Sequence, residues 1–98
     1  MRYKIEKLKQ AQKEIDDLTN RQKSALEDDY KTIENKGLEY VKRRFLRDGL
    51  FEIKTNDVRS LFMYKEESVI LIGLVYEKRT KKAPDYYIKS ALKRLKGV

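Results

Sequence analysis

Lys54 and Arg59 flank the dipeptide Asn56-Asp57. With Asn56 and Asp57 as the centre of a two-residue hairpin turn, Thr55 faces Val58 and Lys54 faces Arg59 across two strands. Like charges directly opposed on one sheet face cost a few tenths to about 1 kcal/mol. A sheet that keeps such a pair invites a functional explanation. Farther along, Lys78 and Arg79 follow an apolar run that ends in Tyr76, and Tyr86 and Tyr87 follow Pro84. Folded back, this segment can bring Arg79 and a tyrosine over the same face. Such a set suits one kind of chemistry. RNA carries its own nucleophile, the 2′-hydroxyl. Its attack on the adjacent phosphate needs a proton acceptor, donors for the developing phosphorane charge, and help for the departing 5′-oxygen. Guanidinium groups of Arg59 and Arg79 match phosphate geometry and stay charged. Lys54 is the candidate base, because a neighbouring cation favours the neutral amine. Tyr86 or Tyr87, with Tyr86 the first choice, can stack on a base or exchange a proton.

Composition narrows the alternatives. The 98 residues include no Cys and no His. Disulfides and thiolate metal sites are therefore excluded, and so are the usual general base and the commonest metal ligand. Six of the sixteen carboxylates fall in the doublets Asp16-Asp17, Asp28-Asp29 and Glu66-Glu67. Adjacent residues on a helix point apart, so these read as solvated surface. No metal site and no cofactor are expected.

Charge is placed unevenly. Residues 1–35 hold eight basic and eight acidic side chains, whereas residues 36–98 hold sixteen and eight, so the net +8 lies wholly in the second part. A one-sided basic excess fits a polyanionic partner. Lys78, Lys81 and Lys82 in one cluster, and Arg43, Arg44 and Arg47 in another, are the candidate RNA-binding cations. No apolar run approaches the roughly 18 residues of a membrane span, and "MRYKIEKLKQ" lacks a signal-peptide core. A cytoplasmic protein with no membrane partner is expected.

The elements that must position these residues can be read from periodicity. "RYKIEKL" reads as a short first strand. Ala11, Ile15 and Leu18 recur at helical spacing. Thr19 to Gln22 fits a capping box that starts a second helix carrying Leu26, Tyr30 and Ile33, and Gly37 ends it. "LEYVKRRFLRD", residues 38–48, is open between a third short helix and an irregular crossing segment. "LFEIKT" and "VRSLFMY" alternate as strands, with Phe51 and Phe62 on the face away from Lys54 and Arg59. "VILIGLVY" is apolar on both parities, so it is expected to be an interior strand covered on both faces. Pro84 opens a closing helix with the stripe Ile88, Ala91, Leu92 and Leu95. The whole reads as one α+β domain over residues 1–98, in the order β-α-α-β-β-β-α. A helical hairpin packs on a small, mainly antiparallel twisted sheet, and a C-terminal helix closes it.

Three stretches carry a family resemblance across nearly the whole chain. "YKIEKLKQAQKEIDDLTNRQKSAL" resembles the opening strand and helical hairpin of RelE-like toxins of the RelE/ParE superfamily. "GLFEIKTNDVRSLFMY" resembles the next two strands. "VILIGLVYEKRTKKAPDYYIKSALKRL" resembles the last strand, basic loop and closing helix, nearest the HigB and phage-derived branch. The resemblance implies the toxin of a type II toxin–antitoxin pair, an endoribonuclease (mRNA interferase) that cuts mRNA on the ribosome. Its partners would be a cognate antitoxin, mRNA and the ribosome. Carried over by position, Lys54 matches a catalytic basic residue, Arg59 and Arg79 match the two arginines, and Tyr86 or Tyr87 matches a tyrosine near the last helix. Glu52 stands where RelE itself has a lysine, and the His of some HigB members has no counterpart. Two other readings stay open. One is a ParE-like gyrase poison of the same fold; the other is a basic protein that only binds nucleic acid or a partner.

Overall fold

The computed structural model describes residues 2–79 and 84–97. Strand β1 (Lys4–Lys7) leads into helices α1 (Lys9–Asp16) and α2 (Asn20–Asn35). The Thr19 hydroxyl accepts from the Gln22 backbone N–H, and the Gln22 side chain accepts from the Thr19 N–H, so the capping box is complete. It satisfies two donors that a helix start otherwise leaves orphaned and lets the two helices follow each other with almost no loop. Gly37, at φ 127°, turns the chain out of α2 in a conformation that disfavours any side chain.

A single 3-10 turn (Leu38–Tyr40) precedes four strands: β2 (Lys42–Arg47), β3 (Leu50–Thr55), β4 (Val58–Glu66) and β5 (Val69–Glu77). Helix α3 (Asp85–Lys96) closes the domain. The α+β class and helical hairpin are as expected, with one strand more than the sequence order gave. That strand is β2, neither short helix nor irregular crossing. It lies at the sheet edge and five of its six residues are exposed. An edge strand wet on both faces shows no apolar alternation, so periodicity misses it.

The sheet order is β1-β5-β4-β3-β2. All pairs are antiparallel except β1 with β5. The two faces bury separate cores. One holds Leu26, Tyr30 and Ile33 of α2 against Ile53, Phe62, Ile70 and Ile72. The other holds Ala91 and Leu95 of α3 against Leu50, Leu61, Leu71 and Leu74. This double cover is why "VILIGLVY" is apolar on both parities.

The register slips between Leu61 and Phe62 against β5, leaving Gly73 unpaired. A Cβ at this position would come within 2.5 Å of Leu95 Cγ, so the bulge lets α3 approach the sheet. Beyond Ile72 the strand has no β1 neighbour. Glu14 of α1 accepts from the Val75 N–H at 3.0 Å, and Arg94 of α3 donates to the Gly73 carbonyl at 3.0 Å and to Glu14. One ion pair thus takes up open backbone groups and clips both helical layers to the sheet edge.

Candidate functional site

The Asn56-Asp57 turn has the expected register: Thr55 pairs with Val58, Lys54 with Arg59, and Phe51 with Phe62. Asn56 adopts φ 54°, which asparagine tolerates in tight hairpins. Lys42 of β2 in turn faces Lys54, and Tyr76 of β5 faces Arg59. Directly opposed residues share a face. Lys42, Lys54, Arg59 and Tyr76 therefore form one row across four strands, at the turn end of the α3-side face. Lys42 went unrecognised in the sequence because β2 was not legible there.

The next row holds Arg44 opposite Glu52. Glu52 is fully buried. Its carboxylate lies 3.2 Å from Arg59 Nε and 3.5 Å from the Arg44 guanidinium. Arg59 Nη1 donates to the carbonyls of Asn56 and Val58. These contacts hold the mostly buried Arg59 guanidinium at the turn end of the hairpin, beside the Glu52 carboxylate. Glu52 also offsets the repulsion between Arg59 and Lys54, so the row persists at less cost than bare cations would incur.

Tyr76 forms the floor beside this pair. Its hydroxyl is buried without a hydrogen-bond partner among the described residues. Burial, then the Glu52 charge, push its pKa up to about 12. It stays protonated at neutral pH. Tyr87 of α3 stacks on it at 4.1 Å and 20°, and Tyr86 lies 4.3 Å from Tyr87. The hydrogen bond with Tyr86, then burial, raise the Tyr87 pKa, and the Arg79 charge opposes this. Tyr87 thus reaches the row through Tyr76, whereas Tyr86 is the outer, exposed member.

The remaining candidates divide. The Lys78 N–H donates to the Asp57 carbonyl at 2.7 Å, which moors the basic segment to the hairpin turn. Arg79 is 82% exposed and pairs with Glu77 at 2.7 Å. Lys81 and Lys82 lie outside the described residues. Arg44 is on the site face. Arg43 faces Ile53 on the opposite side and donates to the Leu38 carbonyl, so it is directed away from the row. Arg47 lies past a bulge, opposite Leu50. Among the described residues, no three carboxylates converge as a metal site.

Residues 13–96 match the family model "Phage derived protein Gp49-like (DUF891)". The chain belongs to this family. No curated protein matches it by sequence. Solved structures of similar fold include a double mutant of E. coli toxin RelE in the free state, at 21% identity and TM-score 0.69. That match covers 97% of this chain and 99% of the other. The archaeal RelE–RelB complex from Pyrococcus horikoshii gives 18% identity and TM-score 0.67, covering 84% and 100%. The RelBE2 toxin–antitoxin complex from Mycobacterium tuberculosis gives 18% and 0.64, covering 80% and 100%. This Gp49-like chain therefore has the RelE fold over most of its length.

Proposed function

We infer that the chain is the toxin of a type II toxin–antitoxin pair and an endoribonuclease acting on ribosome-bound mRNA. The observation that carries this reading is the row Lys42, Lys54 and Arg59. Three cations are held side by side on a RelE-type sheet, with stacked tyrosines at one end and the exposed Arg79 nearby. That is a site for a phosphodiester flanked by bases.

In this reading Lys54 accepts the proton of the 2′-hydroxyl. The 2′-oxygen forms a bond to phosphorus as the bond to the 5′-oxygen breaks, and the departing 5′-oxygen takes a proton from water, leaving a 2′,3′-cyclic phosphate and a 5′-hydroxyl. The Arg59 and Arg79 guanidinium groups stabilise the phosphorane oxygens. Tyr87, with Tyr86 beyond it, supports a base by stacking. Lys78, Lys81, Lys82, Arg44 and Arg47 attract the RNA backbone. No metal takes part. A cognate antitoxin would silence the protein by covering this face or by lifting α3 from it.

The deciding experiment is cleavage of mRNA on programmed ribosomes in the presence of a chelator, with Lys54→Ala and Arg59→Ala for comparison. Cleavage by the wild type alone supports the reading. Inhibition of gyrase without RNA cleavage would assign the protein to the ParE-like alternative. The burial of Glu52 against Arg59 favours a second reading, a non-enzymatic binder in which Arg59 serves structure. That protein would hold RNA without cutting it.

A further inference from the structure

The capping box at the start of α2 does more than cap. Its Gln22 side chain has an acceptor end and a donor end. Oε1 accepts from the Thr19 N–H at 3.0 Å. Nε2 donates to Glu77 Oε2 at 2.6 Å and to Asp57 Oδ2 at 3.3 Å. The helix start, the hairpin turn and the end of β5 therefore meet at one amide. A capping box accepts Glu as well as Gln at this place, and the helix dipole favours the carboxylate. Beside Asp57 and Glu77, a third carboxylate would be repelled. The amide alone can cap the helix with its oxygen and hold two carboxylates with its nitrogen.

Glu77 divides its own carboxylate in the same way. Oε2 is held by Gln22, while Oε1 contacts Arg79 Nη2 at 2.7 Å. Glu77 lies opposite Val58, on the α2 side of the sheet, whereas the cation row is on the α3 side. Arg79 follows two residues later, past the end of β5, and its charge is felt at Tyr87 of α3. The guanidinium is thus anchored from one face and within electrostatic reach of the tyrosine stack on the other. An isolated surface ion pair gains little, because two long side chains must be ordered to make it. Here one partner is already fixed: the Glu77 side chain is 31% exposed and bonded at its other oxygen. A guanidinium carries five donors, so the Nη2 contact leaves others for phosphate.

We propose that Glu77 is a positioning residue for Arg79 and that Gln22 fixes Glu77, so that the contacts Thr19–Gln22–Glu77–Arg79 hold the guanidinium in place before RNA arrives. The inference rests on the RNA reading above, in which Arg79 donates to the phosphate. It gives two residues outside the row a part in the reaction, and it explains how a largely exposed arginine can be preorganised.

Two measurements test it, the first without RNA. The heteronuclear NOE of the Arg79 Nε–H is recorded by NMR for the wild type, Glu77→Gln and Gln22→Glu. The wild-type side chain is expected to be ordered, and both variants to show the low value of a free surface arginine. Gln22→Glu keeps an acceptor for the Thr19 N–H, so α2 stays capped and its amide exchange should be unchanged. Equal mobility of Arg79 in all three proteins would overturn the proposal.

The second is single-turnover cleavage on programmed ribosomes. Glu77→Gln is expected to lower the rate at saturation roughly 10–10²-fold, the scale of a small misplacement of a reacting group, with half-saturation little changed. In the Arg79→Ala background the same substitution should cost nothing further, because a residue acting through Arg79 has nothing left to position. An unchanged or faster rate, a change in half-saturation alone, or an equal loss in both backgrounds would overturn the positioning role. If the wild type cuts no RNA while the NOE behaves as stated, the cleavage reading falls and the hold on Arg79 stands, with the same double-mutant cycle then read on RNA affinity.

Discussion

Arg59 of β4 and Glu52 of β3 meet diagonally across the hairpin at 3.2 Å, with the carboxylate wholly out of solvent. One ion pair thus ties the last cation of the row, Arg59, to the neighbouring row of the sheet. Removing one member of a buried pair typically costs about 3–5 kcal/mol, because the other charge is left uncompensated. Glu52→Ala should therefore lower stability to denaturant by an amount near the lower end of that range, since Arg44 keeps access to water. Glu52→Gln should cost less and still misalign Arg59. Urea melts of both variants check this, and a loss below about 1 kcal/mol for Glu52→Ala would show that the pair behaves as a surface contact.

Arg79 is expected to separate function from folding. Its only ion pair among the described residues is the exposed contact with Glu77. Arg79→Ala should change stability by no more than about 0.5 kcal/mol. If Arg79 donates to the phosphorane, the cleavage rate should fall roughly 10²–10³-fold, and growth inhibition on induction should disappear. Lys81→Ala and Lys82→Ala serve as controls, expected to weaken binding modestly and remain toxic. Equal, mild losses at all three would make the segment an electrostatic patch.

Tyr76 should leave a signature at high pH. Its folded pKa of about 12 lies above the ordinary value of 10.0 for a phenol. The unfolded chain therefore loses this proton first. The stabilisation is complete below about pH 10 and is lost as the pH rises towards 12. Tyr30, buried and bonded to Ser60, is shifted in the same direction. Stability measured from pH 9 to 12 should decline, and Tyr76→Phe should make the decline shallower while leaving part of it to Tyr30. A slope identical in Tyr76→Phe would refute the assignment.

Gly73→Ala should loosen α3. The added methyl would meet the Leu95 side chain at 2.5–2.8 Å. Overpacking of this kind costs about 1–3 kcal/mol. The expected result is a lower melting temperature with faster hydrogen exchange in α3 than in α2. Uniform exchange across both helices would show that the strain is absorbed elsewhere.

Binding to RNA or ribosomes should weaken steeply between low and moderate salt. The excess of eight positive charges is confined to residues 36–98, and each phosphate neutralised releases counterions. Affinity independent of salt, measured by filter binding or sedimentation, would argue for a protein partner.

The sequence by itself determined the elements whose signals are local or strongly periodic. The capping box at Thr19 and Gln22 is a contact between residues three apart, and it is present as expected. The Asn56-Asp57 turn fixed the register of β3 on β4, and with it the opposition of Lys54 and Arg59, because side-chain direction in a strand has period two. The apolar run of β5 announced cover on both faces. Three features depended on the tertiary structure. Strand β2 is an edge whose exposed cations follow no apolar period, so Lys42 became a neighbour of Lys54 only once the sheet was assembled. Glu52 carries no sign of burial in the sequence, and only the assembled sheet sets it out of solvent beside Arg44 and Arg59. Tyr76 and Tyr87 are brought into stacking by the path of α3, set by the Gly73 bulge and the Arg94–Glu14 pair. Those contacts span many residues along the chain, and no local pattern encodes a meeting of side chains so far apart in sequence.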